Sequence, residues 1–368
     1  MPRIRFVELG RQYEVLRKEI LEAIDKVCKE GDYVLGSSLK DFETAFAEFC
    51  GVSYAVGVGN GSDALYLSLK ALGIGPGDEV ITAPNSFIAT AWVIAHTGAT
   101  IKFADVGEDM NLDPISVQNA ITPKTKALMP VHLTGRIAKM NELQKIADEN
   151  GLFLVEDAAQ AVGATYNGKR AGSFSNCAGF SLHPLKNLHV AGDGGIITTD
   201  SSEVFDWLIK YRNHGLKNRD SCDFWGINSR LDSIQAAIGS IKLKYLDSWN
   251  KRHQAIAAKY SESLKGLVSV PNHDNHESPV YHRYMIRTEK RDILQSFLNE
   301  KGIETKINYP VPLHLQPAAA NLGYTQGSFP VAEELCKSIL SLPAYPELHD
   351  YEIDFVIEAI IEFFSTTS

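Results

Sequence analysis

Short apolar runs alternate with amphipathic stretches from about residue 50 to residue 200 of the chain. The runs have the length of strands, and the stretches between them space their apolar residues as one face of a helix does. This alternation is typical of a sheet built from strand–helix units, and it predicts an α/β fold. The predicted strands cover residues 54–58, 79–82, 101–103, 127–131, 152–155, 178–181 and 195–199, and a helix is predicted for residues 89–96.

The helix after the first strand has the clearest pattern. It begins near Ser62, which we expect to cap it, and it carries Leu65, Leu69 and Leu72 on its apolar face before Gly73 closes it. This helix would follow the first strand directly, as a strand–helix unit requires.

The pattern changes in the last third of the chain. The elements predicted there are one long helix (233–260), a strand (284–286), a helix (293–301) and a proline-rich loop (309–317). A chain of 368 residues is too long for one ordinary core. We therefore expect a large domain of residues 1–245 and a small α+β C-terminal domain of residues 246–368.

Composition narrows the class of protein. With 44% apolar and 22% charged residues, the chain has the make-up of an ordinary globular protein, and its formal net charge of −9 argues against a nucleic-acid partner. It has neither a signal peptide pattern nor an apolar run long enough for a bilayer, so we expect a cytoplasmic protein with no membrane partner. The five cysteines are scattered and never form a C-x-x-C pair, which argues against a disulfide framework and a zinc site.

Two residues carry the candidate chemistry. Lys186 lies between the strand at 178–181 and a Gly-Asp-Gly-Gly turn, and Asp157 comes just after the apolar run at 152–155. A lysine amine and a carboxylate at strand ends are the two fixed points that pyridoxal 5′-phosphate (PLP) needs. The amine forms a Schiff base, and the carboxylate keeps the pyridine nitrogen protonated.

Further residues could complete such a site. The glycine-rich segment 57–63 joins a strand to a helix, so backbone N–H groups and the Ser62 hydroxyl would converge on an anion at the helix N-terminus. Gln160 follows Asp157 closely enough to reach the same ligand. His183 can contact a ligand in the pocket, and Phe87 can cover the face of a flat ring.

Each of these residues has a simpler interpretation on its own. Glycine-rich strand-to-helix turns also occur for packing reasons, Asp157 can be a helix N-cap, and Lys186 can be a solvated loop residue. Their joint order along the chain favours the catalytic interpretation. No Walker A sequence, G-x-S-x-G elbow or H-E-x-x-H metal spacing competes with it, and we expect no metal site. The turn at 57–62 also lacks the last glycine of a dinucleotide loop.

At this point the motifs resemble a known family, the DegT/StrS group of PLP-dependent sugar aminotransferases, which have the aspartate aminotransferase fold (fold type I). The resemblance spans most of the chain, in segments 31–36, 60–65, 83–90, 155–161, 181–187, 192–195, 228–232 and 309–314. It implies a large domain with a mixed, mostly parallel seven-stranded sheet flanked by helices, and a small α+β C-terminal domain.

The resemblance also implies a role for each matching residue. Lys186 would form the Schiff base and move the proton during the reaction. The cofactor would further be held by Asp157 at the pyridine nitrogen, Gln160 at the ring hydroxyl, Phe87 on the ring face, and Gly61, Ser62 and Ser181 at the phosphate. Asn228 would reach the phosphate in a neighbouring subunit, so a homodimer with shared active sites is expected. His183, Tyr309 and His314 would contact the substrate.

The reaction implied by the resemblance is amino transfer from an amino acid, expected to be L-glutamate, to a nucleotide-linked keto-sugar. Members of the family with histidine in place of the lysine catalyse deoxygenation, and Lys186 favours transfer. The Gly-Asp-Gly-Gly sequence with Asp193 favours a 3-keto over a 4-keto sugar. Two alternatives stay open: a keto-cyclitol or small keto-polyol phosphate as acceptor, and a non-catalytic PLP-binding regulatory protein.

Overall fold

A computed structural model of the chain describes residues 3–366. Its centre is a seven-stranded sheet in the order β1-β9-β8-β5-β4-β2-β3. All neighbouring strands are parallel except β9, which is antiparallel to both β1 and β8. The seven strands are β1 (Tyr54–Val58), β2 (Glu79–Thr82), β3 (Thr100–Phe103), β4 (Thr125–Met129), β5 (Phe153–Asp157), β8 (Cys177–Ser181) and β9 (Gly195–Thr199). The fold class expected from the sequence is confirmed.

The remaining strands form small separate sheets. These are β6 (Thr165–Tyr166) and β7 (Lys169–Arg170) with β12 (Glu277–Ser278), β10 (Leu216–Asn218) with β11 (Ser221–Cys222), and β13 (Tyr284–Arg287) with β14 (Ile339–Leu342). The helices are α1 (Leu9–Glu30), α2 (Ser37–Cys50), α3 (Gly61–Ala71), α4 (Ile88–Thr97), α5 (Pro114–Ala120), α6 (Met140–Asn150), α7 (Ser202–Tyr211), α8 (Ser233–Leu243), α9 (Leu246–Leu264), α10 (Arg291–Glu300), α11 (Pro330–Ser338) and α12 (Asp350–Thr366). Three 3₁₀ turns add Leu133–Gly135, Leu313–Leu315 and Pro317–Leu322.

The central strands are apolar along their length because helices cover both faces of the sheet. Every residue of β8 and β9 is buried, and so are four of the five residues of β1 and β5. Continuous apolar strands are what a mainly parallel, two-sided sheet requires. The carboxyl ends of the parallel strands share one edge, where ligands bind in open α/β sheets. Asp157 and Ser181 are the last residues of β5 and β8.

The long helix predicted for residues 233–260 is wrong as a single element. The structure has two helices there, α8 and α9, with a break at Lys244 and Tyr245. The Lys244 and Tyr245 N–H groups donate to carbonyls three residues back, at 3.2 and 3.0 Å, so the last turn tightens. The turn directs Leu246 into the main core, where it is fully buried.

The predicted cap of α3 is also wrong by two residues. Asn60 caps this helix, and its Oδ1 accepts a 2.8 Å hydrogen bond from the Asp63 N–H. Ser62 lies in the first turn, and its hydroxyl is not needed for capping. The alternative role of Asp157 as a helix cap is excluded, because the residues after it form turns and no helix.

The C-terminal part has an apolar cluster of its own. It contains Tyr260, Tyr284, Leu298, Ile360 and Phe363, and Ile4 from the N-terminal segment joins it. Other residues of the same part, such as Met285 and Leu313, pack into the main core. The division at residues 245 and 246 therefore stays a prediction. Within residues 3–366, no helix has the length and apolar composition needed to cross a bilayer.

Candidate active site

A cavity of about 440 Å³ opens at the carboxyl edge of the sheet. It is lined by all the site residues predicted from the sequence except Asn228 and His314, namely Gly61, Ser62, Phe87, Asp157, Gln160, Ser181, His183, Lys186 and Tyr309. These residues come from two strand ends, from the first turn of α3 and from four loops, which lie before α4, after β5, after β8 and before the 3₁₀ turn Leu313–Leu315. The fold therefore brings together residues that are far apart in the sequence.

The loop that carries Lys186 is anchored at both ends and in its middle. Leu182 N–H donates to Gly194 O at 2.8 Å, and Val190 N–H donates to Leu182 O at 2.9 Å. Directly after the lysine, the Asn187 amide donates to Asn250 Oδ1 and to Val280 O, both at 3.0 Å. These bonds fix the backbone on which the lysine side chain stands.

Asp157 is buried and held by two donors. The Thr90 hydroxyl donates to its Oδ2 at 2.7 Å, and the Ala159 N–H donates to its Oδ1 at 3.2 Å. Burial raises the pKa of Asp157 above the usual value for an aspartate, and the hydrogen bond from Thr90 and the charge of Lys186 oppose that rise. The carboxylate is thus poised to interact with a protonated ring nitrogen.

The pKa of the Lys186 amine is shifted in the opposite direction. Burial lowers the pKa of Lys186 to about 8, the charge of Arg283 lowers it further, and Asp157 acts in the opposite direction. An ordinary lysine is almost fully protonated at neutral pH, with a pKa of about 10.4. Lys186 therefore has a much larger neutral fraction, and a neutral amine is the nucleophilic form.

Helix α3 and strand β8 meet closely at one end of the cavity. A Cβ atom added to Gly61 would lie 2.6 Å from Ser181 Cβ and 2.9 Å from Ser181 Cα, so only glycine fits there. The first N–H groups of a helix have no partner inside the helix and favour an anion. With the hydroxyls of Ser62 and Ser181 beside them, they form a cradle suited to a phosphate.

Two aromatic rings stand at the open side of the cavity. The ring centroids of Phe87 and Tyr309 are 5.8 Å apart, and Phe87 is 51% exposed. Gln160 lies deeper, and its Oε1 accepts a 2.9 Å hydrogen bond from the Thr134 N–H. That bond leaves the Gln160 amide free to act as a donor toward a ligand.

The structure does not bring His314 to this cavity. Its side chain is fully buried, and its Nε2 lies 3.0 Å from Glu333 Oε1. Its ring packs against Phe103, Tyr324 and Phe329. In this chain the 3₁₀ turn Leu313–Leu315 directs the His314 side chain into the aromatic cluster, and the substrate contact expected of it stays a prediction without support from the cavity.

Asn228 is exposed and does not line the cavity of its own chain. It pairs with Asn213 in an isolated β-bridge. The next residue, Ser229, is buried and donates to Asp63 Oδ2 at 2.6 Å. The position of Asn228 is compatible with a role in another subunit, which stays a prediction.

Several residues at the site were not singled out from the sequence. Thr90 holds Asp157, Asn187 anchors the lysine loop, and His282 and Arg283 line the cavity. Thr90 and Asn187 lie inside motifs that identify the family, so position in a motif was the available signal. His282 and Arg283 precede a short strand of the C-terminal part, and nothing in the local pattern connects them with Lys186.

One group of metal-ligating side chains lies elsewhere. Ligand atoms of Asp274, His276 and Glu277 all lie within 4.8 Å of one another. Glu277 is already ion-paired with Arg136, with Nε and Oε2 2.7 Å apart. We assign no metal to this group.

The residues of the cavity fit PLP. The glycine-packed cradle matches a phosphate, the buried Asp157 matches a ring nitrogen, and Lys186 supplies an amine in the same cavity. The distribution of these groups over two ends of one cavity is what a flat, phosphorylated ring requires.

Comparisons with known proteins agree with this geometry. The sequence model of the DegT/DnrJ/EryC1/StrS aminotransferase family matches residues 14–361. The chain is 46% identical over 364 residues to the dTDP-3-amino-3,4,6-trideoxy-alpha-D-glucose transaminase of Streptomyces venezuelae, covering 98% of this chain and 96% of that protein. It is 44% identical over 366 residues to a "pleiotropic regulatory protein" of Geobacillus stearothermophilus, covering 98% of each.

A solved structure is similar over the full length. The crystal structure of S. venezuelae DesV superposes with a TM-score of 0.98 at 45% identity, covering 100% of both chains. Solved relatives also include a PLP form.

Proposed function

Because the chain belongs to the DegT/DnrJ/EryC1/StrS aminotransferase family and is a PLP-dependent aminotransferase, we propose that it transfers an amino group from L-glutamate to C3 of a nucleotide-linked keto-sugar. The observation that carries this proposal is the presence of Lys186, with its lowered pKa, in the same cavity as the Asp157 carboxylate and the N-terminus of α3. These groups supply a nucleophile, a charge partner and an anion cradle.

PLP, when bound, supplies an electrophilic carbonyl carbon and a ring that withdraws electrons from the substrate carbon. Lys186 would hold it covalently through Nζ and, once displaced by the donor, would carry a proton to and from the reacting carbon. Its lowered pKa suits both tasks, because an acid–base group works best with a pKa near the working pH.

The other residues would bind and orient the cofactor. Asp157 would keep the ring nitrogen protonated, and Thr90 supports the ionised form of Asp157. Gln160 would donate its amide to the ring hydroxyl. Gly61, Ser62 and Ser181 would hold the phosphate, and Phe87 would cover one face of the ring. The position of each group in the cavity supports these proposed roles.

The acceptor is proposed from the relatives that are named for a reaction. The S. venezuelae relative is named for a sugar with its amino group at position 3, and a 36% identical relative in Pseudomonas aeruginosa is named a UDP-2-acetamido-2-deoxy-3-oxo-D-glucuronate aminotransferase. In this chain His183, Tyr309 and Asp193 line the same cavity. We assign His183 and Tyr309 to the sugar.

We also propose a homodimer in which Asn228 of one subunit reaches the phosphate site of the other. A set of apolar side chains is 40–51% exposed on this chain: Tyr33, Val34, Leu35, Phe87, Ile88 and Trp92. Exposed apolar groups of this kind mark protein–protein contacts. A molecular mass of twice the 40.5 kDa chain is expected in solution. Mixing inactive Lys186→Ala and Asn228→Ala subunits should restore part of the activity.

A cytoplasmic location is part of the proposal. The cysteines at positions 28, 50, 177, 222 and 336 all carry free thiols. Free thiols persist where the compartment is reducing.

The deciding experiment follows the visible absorbance of the purified protein with PLP before and after L-glutamate is added. We expect a band from lysine-bound PLP that bleaches as the cofactor takes up the amino group. Borohydride reduction followed by peptide mapping should locate PLP on Lys186. Lys186→Ala should lose the band and turnover, while Lys169→Ala, which changes an exposed lysine, should keep both. Full turnover by Lys186→Ala would overturn the proposal.

The acceptor is tested separately with the amine-loaded enzyme. Return of the visible band would be compared for nucleotide-linked 3-keto sugars, the 4-keto isomers and keto-cyclitols. The fastest return is expected with a 3-keto nucleotide sugar. A faster return with a keto-cyclitol would replace this acceptor with the alternative one. Bleaching that no acceptor reverses would favour the non-catalytic alternative.

A further inference from the structure

Arg283 lies on the wall of the cavity, directly before strand β13. Its backbone N–H donates to Thr134 O at 3.3 Å, and Thr134 in turn donates its own N–H to Gln160. The Arg283 guanidinium carbon is 4.9 Å from the centre of the Phe6 ring. The charged end is therefore partly shielded from solvent by an aromatic face and lies within the proposed site.

This guanidinium has no anionic partner among the residues that the structure describes. Among residues 3–366, no carboxylate lies within 4.0 Å of the Arg283 side chain, and its nitrogens make no hydrogen bond to a protein group. Every other buried or half-buried arginine in that range has a carboxylate or a hydrogen-bond acceptor, as Arg11, Arg136, Arg212 and Arg230 illustrate.

A shielded charge without an anionic partner is costly, because burial removes solvation and the face of one aromatic ring replaces only part of it. Burial lowers the pKa of Arg283 to about 10, which still leaves the side chain charged at neutral pH. The cavity thus presents a permanent positive charge that is ready to pair with an anion.

The charges nearby narrow the identity of that anion. The cofactor phosphate is assigned to Gly61, Ser62 and Ser181, and Asp157 is engaged by Thr90. Asp193 is exposed at the edge of the cavity. The substrate pair comprises an amino acid, whose carboxylate is bonded to the carbon that bears the reacting nitrogen, and a nucleotide-linked sugar, whose anionic diphosphate is attached at C1, away from the reacting C3. The amino acid must bring its nitrogen to the position of Lys186, in the cavity that Arg283 lines.

We propose that Arg283 binds a carboxylate of the amino donor and thereby orients the donor for transfer. The inference rests on the proposed function and deepens it, because it assigns to a residue the recognition of the donor. Guanidinium–carboxylate pairs can form two parallel hydrogen bonds, which fix the orientation as well as the affinity. The charge of Arg283 also lowers the pKa of the free Lys186 amine.

The test uses the holoenzyme and its half-reaction with the donor alone, followed by the bleaching of the visible band in a stopped-flow instrument. For Arg283→Gln, we expect the L-glutamate concentration at half-maximal rate to rise about 10- to 100-fold, as expected for loss of a charged hydrogen bond. Arg283→Lys should recover part of the loss, because it keeps the charge without the planar fork. The PLP band itself should persist in both variants.

The matched control is Arg287→Gln. Arg287 lies four residues further along the same segment and pairs with Glu108 at 3.5 Å, and it does not line the cavity. For Arg287→Gln, the L-glutamate concentration at half-maximal rate should equal that of the unmodified enzyme. Thermal unfolding of the two glutamine variants gives a check that both are folded.

Three donors distinguish the two possible carboxylates. If Arg283 binds the α-carboxylate, Arg283→Gln should weaken the binding of L-glutamate, L-glutamine and L-alanine to the same extent. If Arg283 binds the side-chain carboxylate, only the binding of L-glutamate should be weakened. Either result supports the proposal. An unchanged donor dependence in Arg283→Gln, or a defect confined to the acceptor half-reaction, overturns it. An unmodified enzyme that binds PLP and ignores every amino acid overturns the proposed function instead.

Discussion

The hydroxyl of Thr90 donates a 2.7 Å hydrogen bond to Oδ2 of Asp157. The Ser86 hydroxyl lies 2.8 Å from Thr90 Oγ1 and, since Thr90 donates to the carboxylate, Ser86 donates to Thr90. This short chain of hydroxyls connects the segment before α4 with the end of β5. It stabilises the charged form of a carboxyl group whose pKa is raised by burial.

Thr90→Val should therefore destabilise the ionised form of Asp157, while the volume of the side chain at position 90 stays nearly the same. The pKa of Asp157 should rise further, so activity should be lost at a higher pH as the solution is acidified. A hydrogen bond to a charged group contributes about 1.5–3 kcal/mol, and we expect the donor half-reaction at neutral pH to slow by about tenfold or more. Thr90→Ser, which keeps the hydroxyl, should behave nearly as the unmodified enzyme. If Thr90→Val lost activity at the same acidic pH as the unmodified enzyme, this role of Thr90 would be contradicted.

The uptake of PLP by the apoprotein should depend on pH through Lys186. The amine must be neutral to attack, so the rate should rise with pH and level off above about 8, where Lys186 has lost its proton. Of the groups facing the lysine, burial keeps His189 and His282 neutral by lowering their pKa, and raises the pKa of Tyr309 to about 12. Asp157 and Arg283 are the charged neighbours that set the value.

Stopped-flow absorbance between pH 6.5 and 9.5 measures this profile. Free N-acetyl-lysine amide with PLP is the control, and its rate should keep rising toward the ordinary lysine pKa of about 10.4. In Arg283→Gln the profile should move to higher pH, because a positive charge near the amine is removed. A profile for the unmodified apoprotein that follows the free amine would refute a lowered pKa.

Gly61→Ala should damage the phosphate end of the site. The new Cβ would lie 2.6 Å from Ser181 Cβ, which is closer than two carbon atoms can approach without displacement. We expect α3 to move from β8, with an increase of about tenfold or more in the PLP dissociation constant, since overpacking costs about 1–3 kcal/mol. Equilibrium titration with PLP measures the effect. Gly10→Ala is the control: nothing lies within 4 Å of its added Cβ, and it should not weaken PLP binding.

Glu156 illustrates a buried charge that is fully paired. Its carboxylate receives hydrogen bonds from the Gly172 and Phe174 N–H groups and the Ser175 hydroxyl, at 2.8, 3.0 and 2.8 Å. His132 Nε2 is 2.9 Å away. Burial acts to raise the pKa of Glu156, and these bonds outweigh it, so the pKa is lower than usual. The stabilisation is therefore present above the unfolded pKa of about 4.3 and is lost as the pH falls through the lower folded value.

Glu156→Ala should lower the free energy of unfolding by about 3–5 kcal/mol at neutral pH, because its donors lose their acceptor in the interior. Urea unfolding measures this change. Glu149→Ala removes an exposed carboxylate that pairs with Lys145 at 3.8 Å, and its effect should stay within about 1 kcal/mol. Equal effects of the two substitutions would show that the Glu156 network adds no stability.

The sequence predicted the central sheet well because its strands are apolar throughout and its turns are glycine-rich. The predicted strands at 54–58 and 195–199 have the bounds of β1 and β9. The break at Lys244 and Tyr245 was missed because the apolar periodicity continues across it. A tighter last turn changes the direction of a helix without changing which residues are apolar.

The site was predictable where a motif carries both the residue and its local geometry, as for Lys186 and Asp157. The position of His314 outside the cavity was not foreseen because its surroundings depend on Glu333 and Phe329, which come from a different segment. Arg283 was not foreseen for the same reason, since its place beside the cavity follows from packing between distant parts of the chain. Long-range packing of this kind has no signal in a local pattern.

The close contact of Gly61 with Ser181 makes one part of the cavity much less tolerant to change than its rim. At the glycine-packed end even one methyl group is excluded, so substitutions there would be eliminated by selection. At the rim Leu185 is 43% exposed, and larger or smaller side chains can be accommodated there. Descendants of such a protein can therefore acquire new acceptors by drift at the rim while the cofactor stays bound, which gives one scaffold a route to many amino sugars.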